Sequence, residues 1–389
     1  MKKKFVPVLC VLLILVLAAT AFGPGIILAC VRQETPETGY AYSDSFYTTY
    51  DDVRAHLQEL TAELGVELSS YGVNEGDDLY IDAFYLPSSG EKRNLVVLTT
   101  GVHGVEGYIG SVMLDVFFGE IYPTLDRETT GVLVVANVNP YGMKHYRRYN
   151  ENNVDLNRNF ILDWENFDLS SNKEYPKVDT FLGPRGKIRN GLWHEVGFYL
   201  SLGKTAITDG AGTISDALLT GQYEYPQGVY YGGNGDEIST AYLKDVFSRC
   251  LDSAYANVVH LDIHSGYGPR YNMVIFNSVF ETMTEAESKD AFGYDHVIAH
   301  DSEAFYATTG DTTDFFYRLA RQKQTDTELF STCFEFGTIG DAFFDTILSL
   351  KYTVDENRNH WYPTETAWRE KTVQDFKTAA LGVLNAKLK

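Results

Sequence analysis

His103 and Glu106 stand three residues apart, separated by Gly104 and Val105. A neutral imidazole and a carboxylate are both good zinc ligands, and an i, i+3 spacing at a helix start turns them to one side. His264, far along the chain and followed by Ser265-Gly266, offers a third ligand. Two histidines and one glutamate leave a fourth zinc position open for water, the pattern of a catalytic rather than a structural site. Such a centre requires a base to take the water proton. Glu335, in Phe334-Glu335-Phe336-Gly337, is a lone carboxylate in an apolar run. Burial of that kind raises a carboxyl pKa and is expensive without a purpose. Each residue has a plainer alternative: a chance His-x-x-Glu, a satisfied core histidine at 264, a structural ion pair at 335.

Arginines complete the set. Arg148 and Arg158 flank the polar run Asn150-Glu-Asn-Asn-Val-Asp-Leu-Asn157. A planar guanidinium binds a carboxylate through two parallel hydrogen bonds, Asn157 adds a neutral donor, and a second arginine near zinc steadies an oxyanion. The alternative is a polar loop whose side chains hold a turn.

The elements that must carry these groups are legible in the apolar pattern. Helical spacing covers residues 52–64, and strands are expected at 66–73 and 79–86 around an Asn-Glu-Gly-Asp-Asp turn. Residues 95–100 and 132–138 are short, Val-rich runs suited to strands buried on both faces, with a helix at 105–118 between them. A helix at 237–254 precedes a strand at 258–263; further strands at 273–276 and 329–336 and a closing helix at 373–388 follow. Alternation of this kind means an α/β domain with a mixed, largely parallel sheet. In such sheets ligands bind beyond the carboxyl ends of the strands, where His103 and His264 fall. His260, Asp262 and His264 share one face of their strand, so Asp262 is placed to orient a ligand.

With Arg148-x-Asn150, Asp155-Leu156-Asn157-Arg158-Asn159-Phe160, His264-Ser265-Gly266 and Glu335-Phe336-Gly337 in order after His103-x-x-Glu106, the chain resembles the zinc carboxypeptidase family over roughly residues 95–340. The Asn157-Arg158 element is the most specific. The stretch Gln222-Tyr-Glu-Tyr-Pro-Gln-Gly228-Val-Tyr-Tyr-Gly232-Gly233 further resembles a bacterial branch with poorly defined substrates. The resemblance implies a single-domain α/β/α sandwich and one Zn2+ per chain on His103, Glu106 and His264. It implies Glu335 as general base and acid, Arg148 polarising the scissile carbonyl, and Asn157 with Arg158 holding a terminal carboxylate. The implied substrate is a peptide or peptide-like amide with a free carboxylate. Gly104-Val105 replaces a more polar pair common in the family, and the family's substrate-capping tyrosine has no clear counterpart among 27 tyrosines. Two other readings stand beside the peptidase: an N-acyl amino acid deacylase using the same zinc, and a catalytically silent binding domain. The Leu-Asn-Arg-Asn form argues against the first, and retention of all three ligands and Glu335 against the second.

Composition sets outer bounds. Among 389 residues, 53 acidic side chains against 32 basic ones give a net charge of -21. That balance repels nucleic acid and anionic membranes, so an anionic substrate group needs a local cationic clamp. Lys2, Lys3 and Lys4 precede an apolar run from Phe5 to Val31 with Ala19-Thr20-Ala21 inside it, the shape of a signal peptide or of a retained membrane anchor. The expected location is extracytoplasmic, secreted or tethered; lipid attachment at Cys30 fits the flanking residues poorly. Residues 32–45 read as a linker and 46–389 as the catalytic domain, with 161–235 a less regular elaboration. Cys250 and Cys333 are left for the folded part, their pairing open. His296 and His300, at i, i+4, form a weaker candidate metal pair on a helix.

Overall fold

The Val-rich runs have no polar face, so each must be covered on both sides. In the computed structural model they are interior strands of one eight-stranded sheet. The structure describes residues 37–389 except Glu75, Asp77, 183–190, Glu303, Tyr306, Ala307, Asp341 and Ala342. The apolar segment 1–31, with Cys10 and Cys30, and the first part of the linker lie outside the described residues.

The strands are β1 (Ser69–Asn74), β2 (Leu79–Leu86), β3 (Asn94–Thr100), β4 (Thr130–Ala136), β5 (Asn257–Ser265), β6 (Met273–Asn277), β7 (Val297–Ile298) and β8 (Glu328–Phe336). Their spatial order is β1-β2-β4-β3-β5-β8-β6-β7. The central four, β4, β3, β5 and β8, run parallel; β1 and β2 are antiparallel to their neighbours, and β6 is antiparallel to β8 but parallel to β7. Helices Tyr50–Leu64, Gly107–Val116 and Thr366–Lys387 pack on one face, through residues such as Val53, Ile109 and Phe376. Helices Ile238–Leu251 and Thr312–Lys323 cover the other, through Phe247 and Phe316. This is the mixed, largely parallel sheet that the alternation implies, set in the α/β/α sandwich that the resemblance implies.

The helix expected at 105–118 is divided: a 3-10 turn, Gly104–Glu106, precedes the α-helix Gly107–Val116. The break has a steric cause. A Cβ on Gly104 would lie 2.2 Å from the carbonyl carbon of Gly142, so only glycine lets this loop rest on the helix Pro140–Lys144.

Region 161–235 is more regular than its composition suggests. It contains helices Tyr175–Leu182, Gly191–Thr208 and Ala211–Leu219, with a small core of their own around Tyr175, Val178, Phe181, Leu182 and Phe198. The i, i+3, i+4 spacing of Val178, Phe181 and Leu182 was the available signal. The helical placement of His296 and His300 is incorrect. Both flank β7, where strand pairing with β6 overrides the i, i+4 relation. Cys250 and Cys333 are free thiols. Among the described residues no helix is long and apolar enough to cross a membrane.

Candidate metal centre

Three loops converge at the carboxyl edge of the parallel strands. β3 ends at Thr100, Gly101 turns the chain with φ 73°, and His103 caps the following 3-10 turn that carries Glu106. His264 is the penultimate residue of β5 and Glu335 that of β8. The two are register partners on adjacent parallel strands, so their side chains leave the sheet on the same face.

His103, Glu106 and His264 are all buried, and their ligand atoms lie within 4.8 Å of one another. The Nδ1 atoms of His103 and His264 are 3.0 Å from Glu106 Oε1 and Oε2 respectively, and 3.1 Å from each other. Each Nε2 is already engaged. His103 Nε2 meets Asp155 Oδ1 at 3.0 Å, and His264 Nε2 meets Asp262 Oδ2 at 2.9 Å. With a proton on each Nε2, donated to these carboxylates, both rings would turn an Nδ1 lone pair inward beside Glu106. The backbone N–H of Ser265 donates to Glu106 Oε2 at 3.1 Å and fixes that carboxylate. Two facing lone pairs beside a carboxylate need a cation between them, and this nitrogen and oxygen donor set fits zinc. Without one, a proton takes that place. Burial opposes a charge on His264, but Asp262 and Glu106 outweigh it and hold the imidazole well above its ordinary pKa. Glu106 resists burial in the same way: His103 and His264 draw its pKa down to about 2.

Beside this cluster lies a cavity of about 150 Å³ whose lining includes His103, Arg148, Asn157, Arg158, Tyr230 and Glu335. His103, Glu106, His264, Glu335, Arg148, Asn157 and Arg158 are therefore brought to one place, Glu106 and His264 through the buried cluster; His296 and His300 are not among the residues of the cluster or the cavity. Glu335 is partly accessible, and its Oε1 accepts from the Tyr267 backbone N–H at 3.0 Å. Burial, then the charge of Glu106, pushes its pKa up to about 7. Among the described residues no arginine pairs with Glu335, which removes the structural ion pair as its explanation.

The two arginines differ. Arg148 is neutralised in place, with Nε 3.0 Å from Asp155 Oδ2 and Nη1 3.5 Å from Glu106 Oε1. Arg158 is 5 % exposed, donates Nη1–H to the Asn157 carbonyl at 2.8 Å, and has no hydrogen-bond partner for Nε. Among the described residues no carboxylate forms a salt bridge with it. Asn157 accepts the Thr312 backbone N–H through Oδ1 at 2.9 Å, which leaves its Nδ2 donors for the cavity.

Three groups escaped the sequence reading. Asp155 serves both His103 and Arg148, although in sequence it was only part of a motif. Tyr230 has φ 58°, a left-handed conformation that costs a bulky residue energy, and its ring lies 5.4 Å from the Arg148 guanidinium and 5.7 Å from that of Arg158. In sequence it is one of several tyrosines in the stretch from Gln222 to Gly233, and nothing there assigns it a place beside the arginines. His360 also lines the cavity, with its pKa lowered to about 3 by burial and by Arg148.

Fold and site together define an α/β protein with a buried two-histidine, one-glutamate cluster at the strand ends. The chain belongs to the family described as "Protein of unknown function (DUF2817)", whose model matches residues 46–380. No curated protein matches it in sequence. Among solved structures it is similar to bovine thrombin-activatable fibrinolysis inhibitor in complex with tick carboxypeptidase inhibitor. That match has 14% identity, a TM-score of 0.45, and covers 88% of this chain and 99% of the other. Carboxypeptidase A from Helicoverpa armigera matches at 15% identity and TM-score 0.45, covering 88% and 77%. Succinylglutamate desuccinylase from Chromobacterium violaceum matches at 14% identity and TM-score 0.36, covering 78% and 72%.

Proposed function

We propose that this protein is an exported zinc-dependent hydrolase that cleaves a peptide or peptide-like amide next to a free C-terminal carboxylate. The observation that carries this reading is Arg158. A buried guanidinium without a carboxylate partner is costly, and it stands beside Asn157 donors in the same cavity as Glu335. A substrate carboxylate supplies the missing partner through charge-assisted hydrogen bonds. Against a net charge of -21, an anionic substrate group needs a local cationic site of this kind to receive it.

His103, Glu106 and His264 would hold the zinc, one ion per chain, with Asp155 and Asp262 fixing the two rings. Bound there, zinc supplies Lewis acidity to a water and to the scissile carbonyl. Glu335 removes the water proton and returns it to the leaving amine, a task suited to a carboxyl whose pKa sits near 7. Arg148 holds a fixed positive charge beside the cluster, where the carbonyl oxygen gains negative charge. The amino-terminal basic and apolar segment is proposed to direct export, which places the substrates outside the cytoplasm.

The small cavity, about 150 Å³, favours a second reading in which the substrate is a short N-acyl amino acid held by the same clamp. One panel separates them. Zinc-loaded protein is assayed on peptides with free C-termini, the same peptides amidated, and N-acyl amino acids. Turnover restricted to free-carboxylate peptides supports the peptidase; turnover of N-acyl amino acids alone supports the deacylase. Equal cleavage of amidated and free peptides contradicts both.

A further inference from the structure

Thr312 opens the helix Thr312–Lys323, directly after its N-cap residue Asp311. It is 1 % exposed and no sequence motif marks it. Its two polar groups point to different parts of the site. The backbone N–H donates to Asn157 Oδ1 at 2.9 Å. The hydroxyl donates to Asp262 Oδ2, the same oxygen that lies 2.9 Å from His264 Nε2. One residue therefore touches the partner of a metal ligand and the amide of the carboxylate clamp.

Each bond has a directional consequence. A backbone N–H only donates, so Asn157 must present Oδ1 to it and turn Nδ2 towards the cavity, ready to donate to a carboxylate. Asp262 is fully buried and only accepts; Thr312 Oγ1, Thr99 Oγ1 and His264 Nε2 surround it. Held by these donors in a single rotamer, Asp262 sets the tilt of the His264 ring. The helix start supplies the rigidity: Asp311 Oδ1 accepts the Asp314 backbone N–H at 2.8 Å and holds the first turn closed.

We propose that Thr312 is a positioning residue that ties the metal ligand His264, through Asp262, to the carboxylate-binding amide of Asn157. It contacts neither metal nor scissile bond. The inference rests on the zinc hydrolase reading above, because it needs His264 to bind metal and Asn157 to bind carboxylate. It differs from a packing role in depending on the hydroxyl for Asp262 and on the backbone N–H for Asn157, rather than on side-chain volume.

The test compares Thr312→Val, which keeps the shape and loses the hydroxyl, with Thr312→Ser, which keeps the hydroxyl. Thr312→Ala is measured beside them, so that misfolding of the valine variant leaves a readout. Zinc affinity is read by competition with a chromogenic chelator, and KM on free-carboxylate peptides. Thr312→Val and Thr312→Ala are expected to bind zinc about tenfold more weakly, the scale of losing an outer-shell partner. Their KM should stay near wild type, because both keep the backbone N–H that donates to Asn157 Oδ1. Thr312→Pro, tolerated at a first helical position but lacking that N–H, should raise KM about fivefold as well, the loss of one ordinary hydrogen bond. Thr312→Ser should restore zinc affinity. Wild-type zinc affinity in the valine variant, or wild-type KM in a folded proline variant, would overturn the proposal alone, as would equal loss of zinc affinity in valine and serine variants. Wild-type protein that binds no zinc would overturn the hydrolase reading and this proposal together.

Discussion

His264 and Glu335 are paired in register across β5 and β8, one carrying a candidate metal ligand and the other the candidate base. Neighbouring strands stand about 4.8 Å apart, so the sheet itself sets the distance between these functions. Rigid strands hold such geometry better than loops do.

Glu335→Gln preserves shape and the acceptor for the Tyr267 N–H while abolishing proton transfer. Turnover is expected to fall by about 10²–10⁴-fold, the usual contribution of a general base. Zinc content should stay unchanged, because Glu335 is not among the three clustered ligands. Loss of zinc along with activity would show that the residue serves the metal instead.

Replacing Arg158 by Met keeps the buried stem and removes the charge. KM for free-carboxylate peptides should rise about 10–100-fold, the worth of a charged hydrogen-bonded contact. The preference over amidated peptides should shrink by the same factor. An intact preference would mean that another group reads the carboxylate.

Tyr230 is held in a left-handed conformation over both guanidiniums. Tyr230→Ala should raise KM about 10–30-fold, since a desolvated cation–π contact is worth about 1.4–2 kcal/mol. Tyr230→Phe keeps the ring and should bind substrate nearly as wild type. If both variants fail alike, the hydroxyl is the functional part.

Metal retention should depend on pH with a definite sign. In metal-free protein Asp262 and Glu106 raise the His264 pKa, so a proton competes for Nδ1 until the pH exceeds that raised value. Zinc binding displaces it, and apparent affinity should climb with pH, by up to about tenfold per unit, until the pH passes that raised value. Chelator competition at three pH values checks this; a flat profile would mean that the displaced group is not His264.

Much of the sheet and of the ligand set was legible because each rests on a local rule. His264 and Asp262 share a strand face by alternation, and His103 and Glu106 a turn by spacing. Glu335 stood out as a carboxylate in an apolar strand. Asp155 as the partner of His103, Thr312 and Tyr230 were not legible. They reach the site from sequence distances of 52, 155 and about 80 residues, and only the folded arrangement makes them neighbours. The break before helix Gly107–Val116 was hidden for the same reason, since it depends on Gly104 meeting Gly142. The helices in 161–235 were obscured by Gly197, Gly203 and Gly212, which weaken local propensity until packing around Phe198 and Tyr175 decides the outcome.

The central claim concerns the space between two imidazole nitrogens 3.1 Å apart. Diffraction from crystals of zinc-loaded protein, recorded at the zinc absorption edge, tests it most directly. The account predicts one strong anomalous peak per chain, about 2.0–2.2 Å from His103 Nδ1, His264 Nδ1 and a Glu106 oxygen, with those nitrogens moved apart around it. No peak there, or a peak elsewhere in the chain, would contradict it.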